Sequence, residues 1–92
     1  MKTVLEFASA KSNGKPISMV TCYDATSAKI VAASSVDCIL VGDSAAMTMH
    51  GHDDTLCATP EMLEWHVASV RRGAPETLII ADLPILAHRG SL

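Results

Sequence analysis

Three aspartates follow three apolar, strand-like runs in this 92-residue sequence. Asp24 ends ISMVTCYD, Asp43 follows CILVG, and Asp82 follows ETLIIA. In a parallel α/β sheet the carboxyl ends of all strands lie on one face, and neighbouring strands are about 4.8 Å apart. Carboxylates at adjacent strand ends can therefore converge on one hard cation such as Mg²⁺, which takes oxygen ligands and often uses only one or two carboxylates.

Each aspartate also has a purely structural interpretation, because an Asp after a strand is often the N-cap of the next helix. Asp24 directly precedes the helix-forming run ATSAKI, so we expect it to cap that helix. Asp43 precedes a stretch with no evident helix, and Asp82 precedes Leu83-Pro84, which disfavours one. For Asp43 and Asp82 the pattern favours metal binding and a structural role equally.

The elements that would position these aspartates alternate between strand and helix. Short continuous apolar strands separated by helices indicate a parallel α/β sheet. We predict a short helix within residues 2–12, strands over 17–24, 38–44 and 76–84, helices over 25–35 and 60–72, and a long loop over 45–58.

The helix after residue 59 has the clearest boundaries. Residues 59–61 (TPE) supply a Thr N-cap, a Pro at the first helical position and an early acid. Residues 71–73 (RRG) place cations and a glycine where a helix C-terminus favours them. The spacing puts Leu63, Val67 and Val70 on one apolar face, and we expect Met62 and Trp65 to cover the sheet.

Composition excludes several classes of protein. The net charge is −3, whereas a nucleic-acid surface needs a basic patch. No apolar run approaches the roughly 20 residues that span a bilayer, and the N-terminus lacks the apolar stretch of a secretory signal. The three cysteines show no CxxC spacing and are expected to be reduced, mostly packed thiols. We therefore expect a cytoplasmic protein that binds neither nucleic acid nor membranes.

The histidines carry less information than the aspartates. The loop HGHDD, residues 50–54, matches no specific metal-binding spacing, so we expect it to be solvated or to form turns. His66 falls within a helix and is expected to serve packing. GxGxxG, GxxxxGK[ST], GxSxG and HExxH motifs are absent from the sequence, which leaves the strand-end carboxylates as the main chemical feature.

Three segments together resemble a known family: residues 15–31 (KPISMVTCYDATSAKIV), 36–56 (VDCILVGDSAAMTMHGHDDTL) and 70–84 (VRRGAPETLIIADLP). The ordered combination of T-x-Y-D, V-G-D-S, T-P-E-M, R-R-G-A-P and A-D-L-P is similar to the 3-methyl-2-oxobutanoate (ketopantoate) hydroxymethyltransferases. The resemblance implies an α/β fold, the N-terminal βαβαβ portion of a (β/α)₈ TIM barrel of the phosphoenolpyruvate-binding type. Many bacterial members of that family are homodecamers.

The resemblance also implies an activity and a set of site residues. The family transfers a hydroxymethyl group from its co-substrate, 5,10-methylenetetrahydrofolate, to 3-methyl-2-oxobutanoate, giving 2-dehydropantoate in pantothenate biosynthesis. By resemblance, Asp43 and Asp82 bind Mg²⁺, and Asp43, Ser44 and Asp82 contact the keto acid. The base Glu, a further metal-binding Glu and a substrate-binding Lys would come after Leu92, so no catalytic base is assigned here.

A barrel of this type needs roughly 250 residues, so residues 1–92 are expected to form a single partial domain. The tail ILAHRGSL, residues 85–92, departs from the family pattern, as a truncated or frameshifted gene would give. We expect the isolated chain to be inactive.

Two other interpretations remain open at this point. In the first, the chain is a non-enzymatic remnant, or a piece that functions only by completing a barrel with another chain. Alternatively, it is a small Mg²⁺-binding signalling domain of the receiver type with a phosphoaccepting Asp. That class usually has about five strands and a later strand-end Lys, whereas we find three strands and no Lys after Lys29.

Overall fold

The three strands pair in parallel in the order β1-β2-β3, which confirms the predicted parallel α/β sheet. The computed structural model describes residues 3–84, so the predicted departure at residues 85–92 lies outside the described residues. The elements are α1 (Val4–Ala10), β1 (Met19–Thr21), α2 (Ala25–Ala32), β2 (Cys38–Val41), α3 (Ala45–Thr48), α4 (Pro60–Gly73) and β3 (Leu78–Ala81).

The middle strand, β2, forms the centre of the core. Its residues Cys38, Ile39 and Val41 are fully buried, because strands pair with it on both edges and helices cover a face of the sheet. Met19 of β1 lies opposite Cys38, and Val41 lies opposite Ala81 of β3. This register brings the carboxyl ends of all three strands to the same edge.

The predicted loop over residues 45–58 is wrong at its start, where α3 forms. Alanine has the highest helix propensity, and both Ala45 and Ala46 are fully buried in α3. A four-residue helix is too short to show a 3.6-residue hydrophobic period, so the sequence pattern does not reveal it. The remaining predicted helices and strands are confirmed, although the strands are shorter than expected.

Helix α4 begins as predicted, since the Thr59 side chain accepts a hydrogen bond from the Met62 backbone N–H at 3.1 Å. Leu63 and Val70 are buried, and Val67 and Met62 pack against the core. The expectation that Trp65 covers the sheet is wrong, because its side chain is 79% exposed. Trp65 lies about 200° around the helix axis from Leu63 and therefore faces away from the core.

The end of α4 is tied to the start of β3 by Arg71. Its Nη1 donates to the carbonyl oxygens of Ala74, Pro75 and Thr77 at 3.1, 3.0 and 2.8 Å. This cation satisfies three carbonyls that follow the helix, which accords with the preference for basic residues at helix C-termini.

Two of the three cysteines are packed in the core, as predicted. Cys22 and Cys38 are buried, and burial raises the pKa of both thiols because it disfavours the thiolate. Cys57 is exposed, so the packing interpretation does not extend to it. Among the helices within residues 3–84, none is long and apolar enough to cross a membrane.

The contact between α2 and α4 depends on Gly73. A Cβ atom at this position would overlap the carbonyl oxygen of Ala25 and lie 2.9 Å from the Cβ of Ala28. The described glycines with positive φ are Gly14 and Gly51, so Gly73 is required by close packing and not by a left-handed conformation. It is the last residue of α4 and not the residue after the helix, as the sequence suggested.

We predict that Gly73→Ala lowers the free energy of unfolding by about 1–3 kcal/mol, because the added methyl group has to push α2 and α4 apart. Urea denaturation followed by circular dichroism would measure the loss. Glu64→Ala, at an exposed position of the same helix, is the matched control and should change stability by less than about 0.5 kcal/mol. If Gly73→Ala were as stable as the control, the added methyl group would not be pushing α2 and α4 apart.

Candidate metal and substrate site at the strand ends

Asp43 and Asp82 meet at the carboxyl ends of β2 and β3. The backbone N–H of Asp82 donates to the Val41 carbonyl at 3.0 Å, which extends the pairing of the two strands. In the opposite direction, the backbone N–H of Asp43 donates to Oδ2 of Asp82, also at 3.0 Å. The structure therefore brings these two predicted residues together and holds one carboxylate by a backbone donor.

Gly42 leaves the space in which the polar side chains approach each other. A Cβ atom there would lie 3.3 Å from the Ser44 Oγ and 3.4 Å from the Asp82 Oδ2. Residue 42 is buried, whereas Asp43 and Ser44 are half-buried and Asp82 is exposed. The strand ends thus present oxygen atoms to solvent above a tightly packed floor.

Ser44 stands at the N-cap position of α3 but does not use its side chain as a cap. Its Oγ instead lies 2.5 Å from the phenolic oxygen of Tyr23, at the end of the neighbouring strand β1. Sequence reasoning did not single out Tyr23 as a site residue. The available signal was its position in the T-x-Y-D run, one residue before the first strand-end aspartate.

Asp24 caps helix α2, as expected from the sequence. Its Oδ2 accepts a hydrogen bond from the Ser27 backbone N–H at 2.9 Å. This hydrogen bond holds the pKa of the Asp24 carboxyl below its usual value, because it stabilises the ionised form. Of the three strand-end aspartates, Asp24 therefore serves the fold, and Asp43 and Asp82 form the candidate site.

Two histidines extend the polar network behind Tyr23. The Nδ1 of His66 lies 2.7 Å from the Tyr23 carbonyl oxygen, and a carbonyl only accepts, so Nδ1 carries the proton. The Nε2 of His66 lies 2.9 Å from the Nε2 of His50, so the two rings are within hydrogen-bond distance of each other. Both rings border an open cavity of about 490 Å³. His66 is half-buried, and it lies within hydrogen-bond distance of both Tyr23 and His50 in addition to packing.

The donor set at the strand ends suits a hard cation. Two carboxylates and one hydroxyl are oxygen ligands, and Mg²⁺ commonly combines one or two carboxylates with water and substrate oxygens. No group of three or more His, Cys, Asp or Glu side chains that could hold a metal occurs within the part of the chain that the structure describes. Two carboxylates and a hydroxyl would leave the remaining coordination positions of a hard cation to water or to a bound ligand.

Fold and site together define a parallel α/β protein with two carboxylates and a hydroxyl group at the carboxyl ends of neighbouring strands. A family model described as ketopantoate hydroxymethyltransferase matches residues 1–92. The chain belongs to the ketopantoate hydroxymethyltransferase family.

Relatives in three bacteria illustrate the similarity, and all bear the name 3-methyl-2-oxobutanoate hydroxymethyltransferase. The chain is 51% identical to the Bdellovibrio bacteriovorus protein over 92 residues, 52% identical to a Legionella pneumophila protein over 86, and 53% identical to a Coxiella burnetii protein over 87. These matches cover 100%, 94% and 95% of this chain but 35%, 33% and 33% of the relatives. The chain thus spans about a third of the length of the relatives that it matches.

We predict that Asp24→Ala lowers the free energy of unfolding at neutral pH by about 0.5–2 kcal/mol, the usual value of an N-cap. Because the folded pKa of Asp24 lies below the unfolded value of about 3.9, its ionised form contributes stability above that pH. That contribution should disappear as the pH falls through the folded pKa. Urea denaturation of both proteins between pH 2 and 7 would measure the difference.

The control for this prediction is Asp24→Asn, which keeps a capping oxygen but removes the charge. It should retain most of the stability at pH 7 and lose the acid dependence. If the difference between the original chain and Asp24→Ala stayed constant down to pH 2, Asp24 would not be the source of the stabilisation.

Proposed function

We propose that this chain carries part of the magnesium and keto-acid site of a ketopantoate hydroxymethyltransferase. The reaction is transfer of a hydroxymethyl group from 5,10-methylenetetrahydrofolate to 3-methyl-2-oxobutanoate, giving 2-dehydropantoate. The observation that carries the proposal is the contact between the Asp82 carboxylate and the Asp43 N–H, beside Ser44, in a chain that the family model matches throughout. A cytoplasmic location and a homo-oligomeric assembly belong to the same proposal.

The sheet supports a (β/α)₈ barrel over a doubly wound fold. Its strands are adjacent in sequence order, and the intervening helices α2 and α4 pack against each other, so both lie on one face. This arrangement results when each right-handed crossover places the next strand on the same side of the previous one. A (β/α)₈ barrel repeats that step around a closed sheet. A receiver-type domain instead places its first strand between the second and third. The order β1-β2-β3 argues against the signalling interpretation.

Each site residue has a distinct task in the proposed reaction. Asp43 and Asp82 would hold the Mg²⁺, and the backbone N–H of Asp43 fixes the orientation of the Asp82 carboxylate. Ser44 would donate a hydrogen bond from its hydroxyl group to the carboxylate of the keto acid. When bound, Mg²⁺ supplies Lewis-acid polarisation of the 2-oxo group, which makes the adjacent carbon easier to deprotonate. We assign no residue of this chain as the base that removes that proton.

A second candidate function is that of a barrel segment that acts only together with further strands. Within residues 3–84, the outer edges of β1 and β3 pair with no strand, and exposed edges of this kind are ready to accept another one. Turnover of 3-methyl-2-oxobutanoate by the 92-residue chain alone would contradict this candidate.

We predict that the amide signals of Asp43, Ser44 and Asp82 shift only when Mg²⁺ and 3-methyl-2-oxobutanoate are both present. The keto acid would supply oxygen ligands at coordination positions of the Mg²⁺ that the two carboxylates do not occupy. A ¹H–¹⁵N spectrum of the 92-residue chain, recorded with neither ligand, each ligand and both, would show the response. Asp43→Asn and Asp82→Asn should each abolish it, because each removes a charged metal ligand.

Asp53→Asn is the matched control, since Asp53 is an exposed aspartate in the loop after α3. Its response should equal that of the original chain. A dispersed spectrum that is unchanged by both ligands, or a collapsed spectrum, would contradict the proposal that this chain holds the site. If Asp53→Asn lost the response while Asp43→Asn and Asp82→Asn kept it, the metal would bind near Asp53 and not at the strand ends.

A further inference from the structure

We infer that Tyr23 is a positioning residue for the keto-acid site, because its hydroxyl group orients the Ser44 hydroxyl towards the substrate. This inference rests on the proposed function. Tyr23 would not contact the substrate itself; it would act through Ser44. The ligand class is the carboxylate group of a small 2-oxo acid.

The direction of the hydrogen bond follows from the chemistry of the ligand. The two oxygens are 2.5 Å apart, a short distance for an O–H···O bond, and either hydroxyl can donate. An ionised substrate carboxylate can only accept hydrogen bonds. The single O–H group of Ser44 therefore has to donate to the substrate. The Ser44 Oγ then accepts a hydrogen bond from the Tyr23 hydroxyl, and this bond polarises the serine hydroxyl and strengthens the hydrogen bond that it donates.

Ser44 needs such a partner because its own surroundings leave its hydroxyl free to rotate. Its side chain makes no cap bond to α3, and Gly42 beside it lacks a side chain that would restrict it. Within the described residues, the Ser44 Oγ is hydrogen-bonded to the phenolic oxygen of Tyr23. Without it, the hydroxyl would sample several rotamers and would donate to the keto acid only part of the time.

Tyr23 itself is held from the helix side of the sheet. The Nδ1–H of His66, in α4, donates to the Tyr23 carbonyl at 2.7 Å. The two rings also make an edge-to-face contact, with centroids 6.2 Å apart and an interplanar angle of 76°. The residue before it, Cys22, continues the β1–β2 pairing through its N–H and the Leu40 carbonyl. The phenol is therefore fixed before any ligand arrives, as a positioning group has to be.

The first test needs no ligand. Hα–Hβ couplings of Ser44, measured by NMR on the 92-residue chain, should show one predominant rotamer. Tyr23→Phe removes only the hydroxyl oxygen and should give averaged couplings, with dispersed signals elsewhere unchanged. Ser34→Ala removes a hydroxyl at the far end of α2 and should leave the Ser44 couplings unchanged. Averaged couplings in the original chain, or unchanged ones in Tyr23→Phe, would overturn the inference.

The second test asks whether Tyr23 acts through Ser44. In the presence of Mg²⁺, Tyr23→Phe should weaken binding of 3-methyl-2-oxobutanoate roughly 3- to 10-fold, the value of one net hydrogen bond. Ser44→Ala should weaken it at least as much. The double variant should bind no more weakly than Ser44→Ala, because the effect of Tyr23 requires the serine hydroxyl. Additive losses would indicate a general structural role and overturn the inference.

The two proposals fail in different ways. If the original chain ignores the keto acid, yet Ser44 has one rotamer that Tyr23→Phe releases, the proposed function fails and the control of Ser44 by Tyr23 stands. If the keto acid binds with Mg²⁺ but Tyr23→Phe binds it equally well, the proposed function stands and the positioning role fails.

Discussion

The close approach of α2 and α4 at Gly73 is the constraint on which the remaining structure depends. Because no side chain separates the helices there, both can lie on one face of a three-stranded sheet. That packing fits a sheet whose strands follow one another in sequence order, with β2 buried between β1 and β3. The strand ends then emerge side by side, and the polar residues that follow them meet at one edge.

Two hydrogen bonds organise that edge. One joins the Asp43 backbone to the Asp82 carboxylate across the ends of β2 and β3, and the other joins Tyr23 to Ser44 across the ends of β1 and β2. Each bond links the ends of two strands that are separated in the chain by one helix (β1 and β2) or by two (β2 and β3). The candidate site is therefore a product of the sheet as a whole: β1 and β3 are each followed by one of its residues, and β2 by two.

Membership of the ketopantoate hydroxymethyltransferase family gives this edge a chemical meaning. The oxygen-rich donor set accords with a cation shared between protein and a 2-oxo acid, which is the role proposed for Asp43 and Asp82. The chain spans about a third of its relatives. Its described part contains Ser44 and the two carboxylates that we propose as metal ligands, and the proposed reaction also needs a base that we assign to none of its residues.

The sequence by itself determined the type and order of the main elements, because apolar runs, the Thr59-Pro60 helix start and the Asp24 cap are local signals. It also pointed to Asp43 and Asp82, since an ionisable residue at the end of a buried strand is visible in the chain. Tertiary structure alone decided that Asp82 contacts Asp43, that Tyr23 contacts Ser44, and that Trp65 faces solvent. These facts depend on strand register and helix rotation, which arise from contacts between residues far apart in the sequence.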